Sequence, residues 1–225
     1  MGIFIPMYFK YGPKETDYLK NRCPRLARVI ERVGPVRREA DGDLFSAVVH
    51  HMVGQQISTR AQATVWRRVR ERLGQVNAQR VCALQAQELQ RLGISQRKAE
   101  YILDFARKVQ AGEVDLAAVA EMDDAQAITH LSALRGIGVW TAEMLLLFCL
   151  QRPDVLSYDD LAIQRGLRMV YRHRKITRAL FEKYRRRFSP YGSVASLYLW
   201  AVAGGAVPEL TDPAVRQSRQ DKPVK

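Results

Sequence analysis

Two stretches of this 225-residue chain hold residue types that could do chemistry. Asp159-Asp160 is a carboxylate pair in a polar break that follows an apolar, helix-forming run. A fixed carboxylate can stabilise positive charge in a transition state or orient an attacking water. It can equally cap the N-terminus of the helix that starts there. The residues alone leave both aspartates and both roles open. Upstream, Gly136-Ile137-Gly138 lies between two helical patterns. Glycine tolerates positive φ, so the backbone can turn sharply, and the N–H groups and dipole of the next helix make a site for a phosphate. Ile137 would pin the two helices together. A plain helix–turn–helix connection would use the same glycines. A nucleotide-binding loop is excluded, because no strand precedes the glycines, the third glycine of that fingerprint is missing and no Gly-Lys-Ser/Thr follows.

Other candidate ligands are scattered. His50, His51, His130 and His173 show no metal-ligand spacing, and the zinc deaminase pattern is absent. Cys23, Cys82 and Cys149 form no C-x-x-C pair and no tight C-terminal cluster, so a reduced chain without a zinc or iron–sulfur site is expected. Lys and Arg outnumber Asp and Glu by 36 to 23, a net charge of +13. That excess suits a polyanionic partner, since phosphate binding releases counterions. No apolar run approaches the roughly 20 residues of a membrane span. The apolar start, Met1 to Tyr8, is Pro-interrupted and has no basic flank, so no signal peptide and no membrane partner are expected. The expected location is cytoplasmic, with nucleoid association if the source is bacterial.

The elements that would position these groups read as helices. Leu26, Val29, Ile30 and Val33 recur at helical spacing up to Gly34-Pro35, after an irregular aromatic start. Asp43 caps a helix through Val53, and Gly54-Gln55-Gln56-Ile57 breaks it. Ser58 caps the next, with Ala61, Val65, Val69 and Leu73 inward, while Arg60, Arg67, Arg68, Arg70 and Arg72 read as its solvated face. A weaker helix covers about 79–91. Ser95 caps a strong one with Ala99, Ile102, Leu103, Ala106 and Val109 inward. Asp123 or Asp124 starts a short helix to Leu134, Trp140 to Leu150 is apolar on every side, and either Asp159 or Asp160 opens a helix to about Tyr171. Thr177 caps another, and Val194 to Val202 is the last. Nothing alternates with period two. The expectation is an all-α chain of nine or ten helices that crosses between two lobes near 42 and near 155. The lobes are 43–155 and, from both ends, 1–42 with 156–212; a basic, flexible tail occupies 213–225.

The pattern L-x-G-I-G-x-x-T-A, an apolar helix and then x-D-D-L-A-I-x-x-G resembles the signature of the helix–hairpin–helix (HhH-GPD) base-excision DNA glycosylases. Val139-Trp140-Thr141-Ala142, Tyr158-Asp159-Asp160-Leu161, Gly54-Gln55-Gln56-Ile57-Ser58, Leu92-Gly93-Ile94-Ser95 with Lys98, and Pro190-Tyr191 leading to Leu199-Trp200 resemble its DNA-3-methyladenine glycosylase II branch. The similarity runs over most of residues 40–205. It implies a two-lobed all-helical fold with the active site in the cleft between lobes, and Asp160 as the catalytic carboxylate. Trp140 and Trp200 match positions that line the base pocket, beside Tyr158 and with Met144 and Leu161 where a well-known relative carries tyrosines. Indoles suit a positively charged alkylated base. Trp140 stands where relatives that also cut the backbone carry a lysine nucleophile, which implies a monofunctional hydrolase. Gly136, Ile137, Gly138, Val139 and Thr141 match the DNA-gripping hairpin, and Gln55, Gln56 and Ser58 the loop that fills the gap left by a flipped base, with Gln56 as the wedge. The implied reaction is excision of 3-methyladenine and 7-methylguanine from double-stranded DNA, leaving an abasic site. The implied partner is DNA with alkylated or abasic sites, bound by a monomer. No cofactor is expected beyond a possible monovalent cation at the hairpin carbonyls, as in several relatives. The alternatives are a non-catalytic binder of damaged DNA and a bifunctional glycosylase/lyase.

Overall fold

The computed structural model describes residues 7–214. Among these, the one departure from helix is an antiparallel pair, β1 (Met7–Tyr8) with β2 (Glu39–Ala40), matched Met7 to Ala40 and Tyr8 to Glu39. Thirteen helices make up the rest. The chain forms two units.

The first unit comprises residues 7–9 and 39–152. It holds α3 (Leu44–Gly54), α4 (Thr59–Leu73), α5 (Ala78–Cys82), α6 (Ala86–Arg91), α7 (Gln96–Gln110), α8 (Leu116–Glu121), α9 (Asp124–Ser132) and α10 (Val139–Phe148). Its core includes Phe45 of α3 stacked on Phe105 of α7, ring centroids 5.0 Å apart. Asp43 caps α3 by accepting from the Ser46 N–H (2.6 Å), and Asp123 caps α9 by accepting from the Gln126 N–H (2.8 Å). Helix α10 is apolar all round and buries Met144 through Leu147, as a helix without a polar face must.

The second unit comprises 10–38 and 153–214, with α1 (Pro13–Arg22), α2 (Pro24–Val33), α11 (Leu161–Tyr171), α12 (Arg178–Phe188) and α13 (Gly192–Ala203). α11 and α13 approach so closely that a Cβ on Gly166 would lie 2.4 Å from the Leu199 carbonyl oxygen.

Four expectations need correction. Residues 7–9 and 39–42 belong with the first unit, held there by the β1–β2 pair and by the Asp41 N–H donating to Phe148 O (2.8 Å), and 153–155 belong with the second, where the Val155 N–H donates to Ser193 Oγ (2.9 Å). The stretch 79–91 is two helices: Asn77 caps α5 through the Arg80 N–H (2.9 Å), and Glu88 accepts from the Gln85 N–H (3.0 Å) to restart the chain as α6. Helix α1 was not expected, since Leu19 is its one buried residue; Pro13 at its start and Glu15 accepting from the Gly12 N–H (2.7 Å) make it. α8 was missed for the same reason, with Val119 alone buried and Asp115 accepting from the Ala117 and Ala118 N–H groups. Of the expected tail, Pro213 and Ala214 are described, and the Ala214 N–H donates to Asp212 (3.0 Å); 215–225 lie outside the described residues.

Candidate active site and nucleic-acid interface

In the second unit, the loop leading to Asp160 is laced to α13. Asp154 accepts from the Ser189 hydroxyl (2.6 Å) and the Gly192 N–H (3.0 Å). The Val155 N–H donates to Ser193 Oγ (2.9 Å), and the Ser196 hydroxyl donates to Val155 O (3.0 Å). At its other end the loop is tied again. Asp160 is the N-cap of α11, and its Oδ1 accepts from the Ile163 N–H (2.8 Å) and from the Trp200 indole N–H (3.1 Å). Only 6% of Asp160 is exposed, whereas Asp159 is on the surface. The two aspartates left open by sequence are thus told apart by burial. Capping and charge placement are one geometry: the bonds that cap the helix also hold the carboxylate still.

Of the expected pocket residues in this unit, Trp200 is joined directly to Asp160. A cation already stands against its ring, the Arg38 guanidinium carbon lying 6.0 Å from the ring centroid. Leu161 is 80% exposed, an apolar side chain displayed beside the carboxylate. Tyr158 packs against α12. Its ring meets Phe181 edge-on (5.2 Å) under the Arg178 guanidinium (4.8 Å), and both belong to α12.

In the first unit, Gly136-Ile137-Gly138 connects α9 to α10. Gly136 has φ +87°, and a Cβ there would stand 2.5 Å from the Tyr101 ring. Ile137 is buried, and Gly138, the N-cap of α10, offers no side chain to the first-turn N–H groups. Val139 (48%) and Trp140 (42%) are exposed on that first turn, while Thr141 and Met144 are buried. Trp140 is therefore partly open to the surface, and Met144 and Thr141 lie within the helix packing. Tyr101 supports the hairpin and lies between two guanidiniums, Arg97 at 5.5 Å and Arg135 at 5.2 Å from its ring. Replacing Gly136 with alanine should cost about 1–2 kcal/mol for the left-handed backbone alone and also collide with Tyr101. Fluorescence anisotropy on an undamaged duplex should show affinity at least about tenfold weaker, a difference of ~1.4 kcal/mol; unchanged affinity would remove the hairpin from the DNA interface.

The loop after α3 is fastened to this hairpin. The Gln55 side-chain N–H donates to Gly136 O (2.7 Å), and the Lys98 ammonium donates to Val53 O (2.8 Å) and Gln55 O (2.5 Å). Burial holds Lys98 below the ordinary lysine range. With Gln55 committed to the hairpin, the exposed tip is Gln56, at φ +57°, followed by Ile57, 40% exposed. Ser58 accepts from the Ala61 N–H (3.2 Å) as the cap of α4. Sequence reasoning passed over Tyr101 and the tip residue Ile57. An apolar side chain between two loop polars and a turn cap was the available signal for Ile57; none pointed to Tyr101. The His50 ring stacks on Trp66 (4.6 Å), and burial first, then His50, holds His51 down at about 4.

Among the described residues, no group of three or more His, Cys, Asp or Glu is placed to hold a metal ion, and no helix is long and apolar enough to cross a membrane.

The model of the HhH-GPD superfamily of base excision DNA repair proteins matches residues 49–190. DNA-3-methyladenine glycosylase 1 of Schizosaccharomyces pombe is 28% identical over 187 residues, which are 81% of this chain and 82% of the relative. The crystal structure of a DNA-3-methyladenine glycosidase from Bacillus halodurans matches with a TM-score of 0.79 and 32% identity, over 90% of this chain and 94% of that one. A 3-methyladenine DNA glycosylase of S. pombe in complex with abasic DNA matches with a TM-score of 0.75 over 85% of this chain and 97% of its own; at 24% identity, that likeness is one of fold.

Proposed function

This chain belongs to the HhH-GPD superfamily of base excision DNA repair proteins, and on that premise we propose that it is a monofunctional DNA glycosylase acting on alkylated purines, chiefly 3-methyladenine and 7-methylguanine, in double-stranded DNA. The observation that carries this reading is Asp160, buried and held by two N–H groups, one of them the Trp200 indole. A purine alkylated at N3 or N7 is cationic. When the C1′–N bond breaks, the bond's electron pair leaves with the base, which departs neutral, while positive charge develops on the sugar. A fixed carboxylate stabilises that charge. Water then forms the new C1′–O bond, and its proton passes to the carboxylate or to solvent. The leaving group needs no acid, so one carboxylate suffices. The exposed Trp140 ring suits the base through stacking and cation–π attraction, and Gln56 at the loop tip fills the vacated stack. The protein acts as a monomer and without a cofactor in this reading.

Trp140 is not a nucleophile, and this supports simple hydrolysis. One observation favours a lyase instead: burial makes Lys98 easier to deprotonate than an ordinary lysine. Its hydrogens, however, are engaged by two carbonyls. Incubation with methylated duplex DNA, followed by mass spectrometry of the released bases and borohydride trapping, separates the readings. The expected result is free 3-methyladenine and 7-methylguanine, intact strands and no covalent adduct. Tight binding of abasic DNA with no base released would make the protein a damage binder; a trapped adduct would make it a lyase.

A further inference from the structure

The far end of α11 holds a second cluster, apart from the groups gathered around Asp160. Asp160 caps the start of α11 and Tyr171 ends it, so at 1.5 Å per residue the two lie about 16 Å apart along the helix. There a cavity of about 540 Å³ is lined by Arg25 and Arg28 of α2, Arg187 of α12, and Tyr171 and Tyr184. Three elements distant in sequence converge on it. Two of the guanidiniums are held in place: Arg25 donates to Tyr171 O (2.8 Å), and Arg187 lies over the Tyr184 ring at 5.9 Å. No carboxylate lines the cavity. None of the three arginines forms an ion pair among the described residues.

The arginines also act on the neighbouring groups, second to burial. Burial lowers His173, whose ring bonds the Tyr184 hydroxyl (2.7 Å), and Arg25 and Lys183 lower it further. Burial raises Tyr184, and Arg187 and Arg25 pull against that rise. Guanidinium forks match the oxygens of phosphate, and charge-assisted bonds of this kind are roughly twice as strong as neutral ones. Self-repulsion among three cations is an outlay that a bound anion removes.

We propose that the Arg25–Arg28–Arg187 cavity is a phosphate-binding site separate from the one at which the glycosidic bond is broken. Its phosphate comes either from the DNA backbone away from the reacting nucleotide or from a free phosphorylated small molecule. The test compares the full chain with Arg28→Gln/Arg187→Gln, which leaves the Arg25–Tyr171 bond in place. Calorimetric titration with pyrophosphate and the salt dependence of binding to an undamaged duplex are measured on both. A free ligand predicts about tenfold or greater loss of pyrophosphate affinity with the salt slope unchanged. A backbone phosphate predicts a slope lower by roughly 2, about one for each guanidinium removed. Both readouts unchanged overturns the site. The wild-type chain supplies a control that needs no variant: pyrophosphate should shift the His173 ring resonances at millimolar concentrations, and no shift there with an unchanged slope also overturns it. Neither measurement uses base release, so this site stands or falls apart from the role of Asp160.

Discussion

Replacing Asp160 with asparagine is expected to slow base release from methylated DNA by about a hundredfold to a thousandfold, the usual cost of removing one preorganised electrostatic group. The substitution isolates charge from shape. Asparagine keeps a side-chain carbonyl that can accept from the Ile163 N–H and the Trp200 indole, as the native carboxylate does. Asparagine is also a good N-cap, so α11 should start where it does now. Affinity for abasic DNA and the thermal midpoint should therefore stay close to wild type while the single-turnover rate collapses. A rate within a few fold of wild type would mean that the carboxylate only caps α11, and the hydrolytic reading would fail with it.

The second large effect lies in the helix pair behind that carboxylate. Gly166→Ala would place a methyl group 2.4 Å from Leu199 O, 2.9 Å from its carbonyl carbon and 3.0 Å from its Cα. All three are backbone atoms, so no side chain can swing aside. α11 and α13 must separate, at a cost of about 1–3 kcal/mol by the measure of overpacked cores, which lowers the melting temperature by about 2–4 °C per kcal/mol in a chain of this size. The separation also acts on chemistry. Leu199 precedes Trp200, whose indole holds Asp160, and misplacing a catalytic group by about 1 Å can cost a hundredfold in rate. Well below the melting temperature, Gly166→Ala should thus lose both stability and single-turnover rate. A variant that melts lower yet releases bases at the wild-type rate would show that the Trp200–Asp160 bond does not depend on this packing.

Much of the fold was legible because its long helices advertise themselves. α2, α4, α7 and α11 bury residues at helical spacing, and Asp43, Ser58, Asp123, Asp160 and Thr177 sit at the caps where their side-chain chemistry places them. The short helices were hidden for a physical reason: α1 and α8 bury one residue each, and a single buried position has no period. In the candidate site, the motif pointed to Asp160 and Trp200, and their bond was beyond its reach, since 40 residues separate them. The motif is also silent on the neighbours that side chains find elsewhere in the chain. Tyr158 is captured by Phe181 and Arg178, and Gln55 by Gly136. Spacing along a chain specifies which residues share an element, and the partners each side chain then finds are set by packing between elements.

The lacing of the loop before Asp160 determines where this protein can change length. The segment is fixed at Asp154 and Val155 to the first turns of α13 and at Asp160 to Trp200 near its end. The eight helical steps from Gly192 to Trp200 advance about 12 Å, whereas the six loop steps from Asp154 to Asp160 can stretch to about 20 Å. The loop thus has slack, and an added residue can bulge outward with both anchors kept. The helix has none. One residue inserted between Ser196 and Trp200 would turn the indole by about 100° and carry its N–H off the carboxylate. α13 is the gauge that sets the position of Asp160, and natural length variation should be tolerated in the loop and purged from the helix.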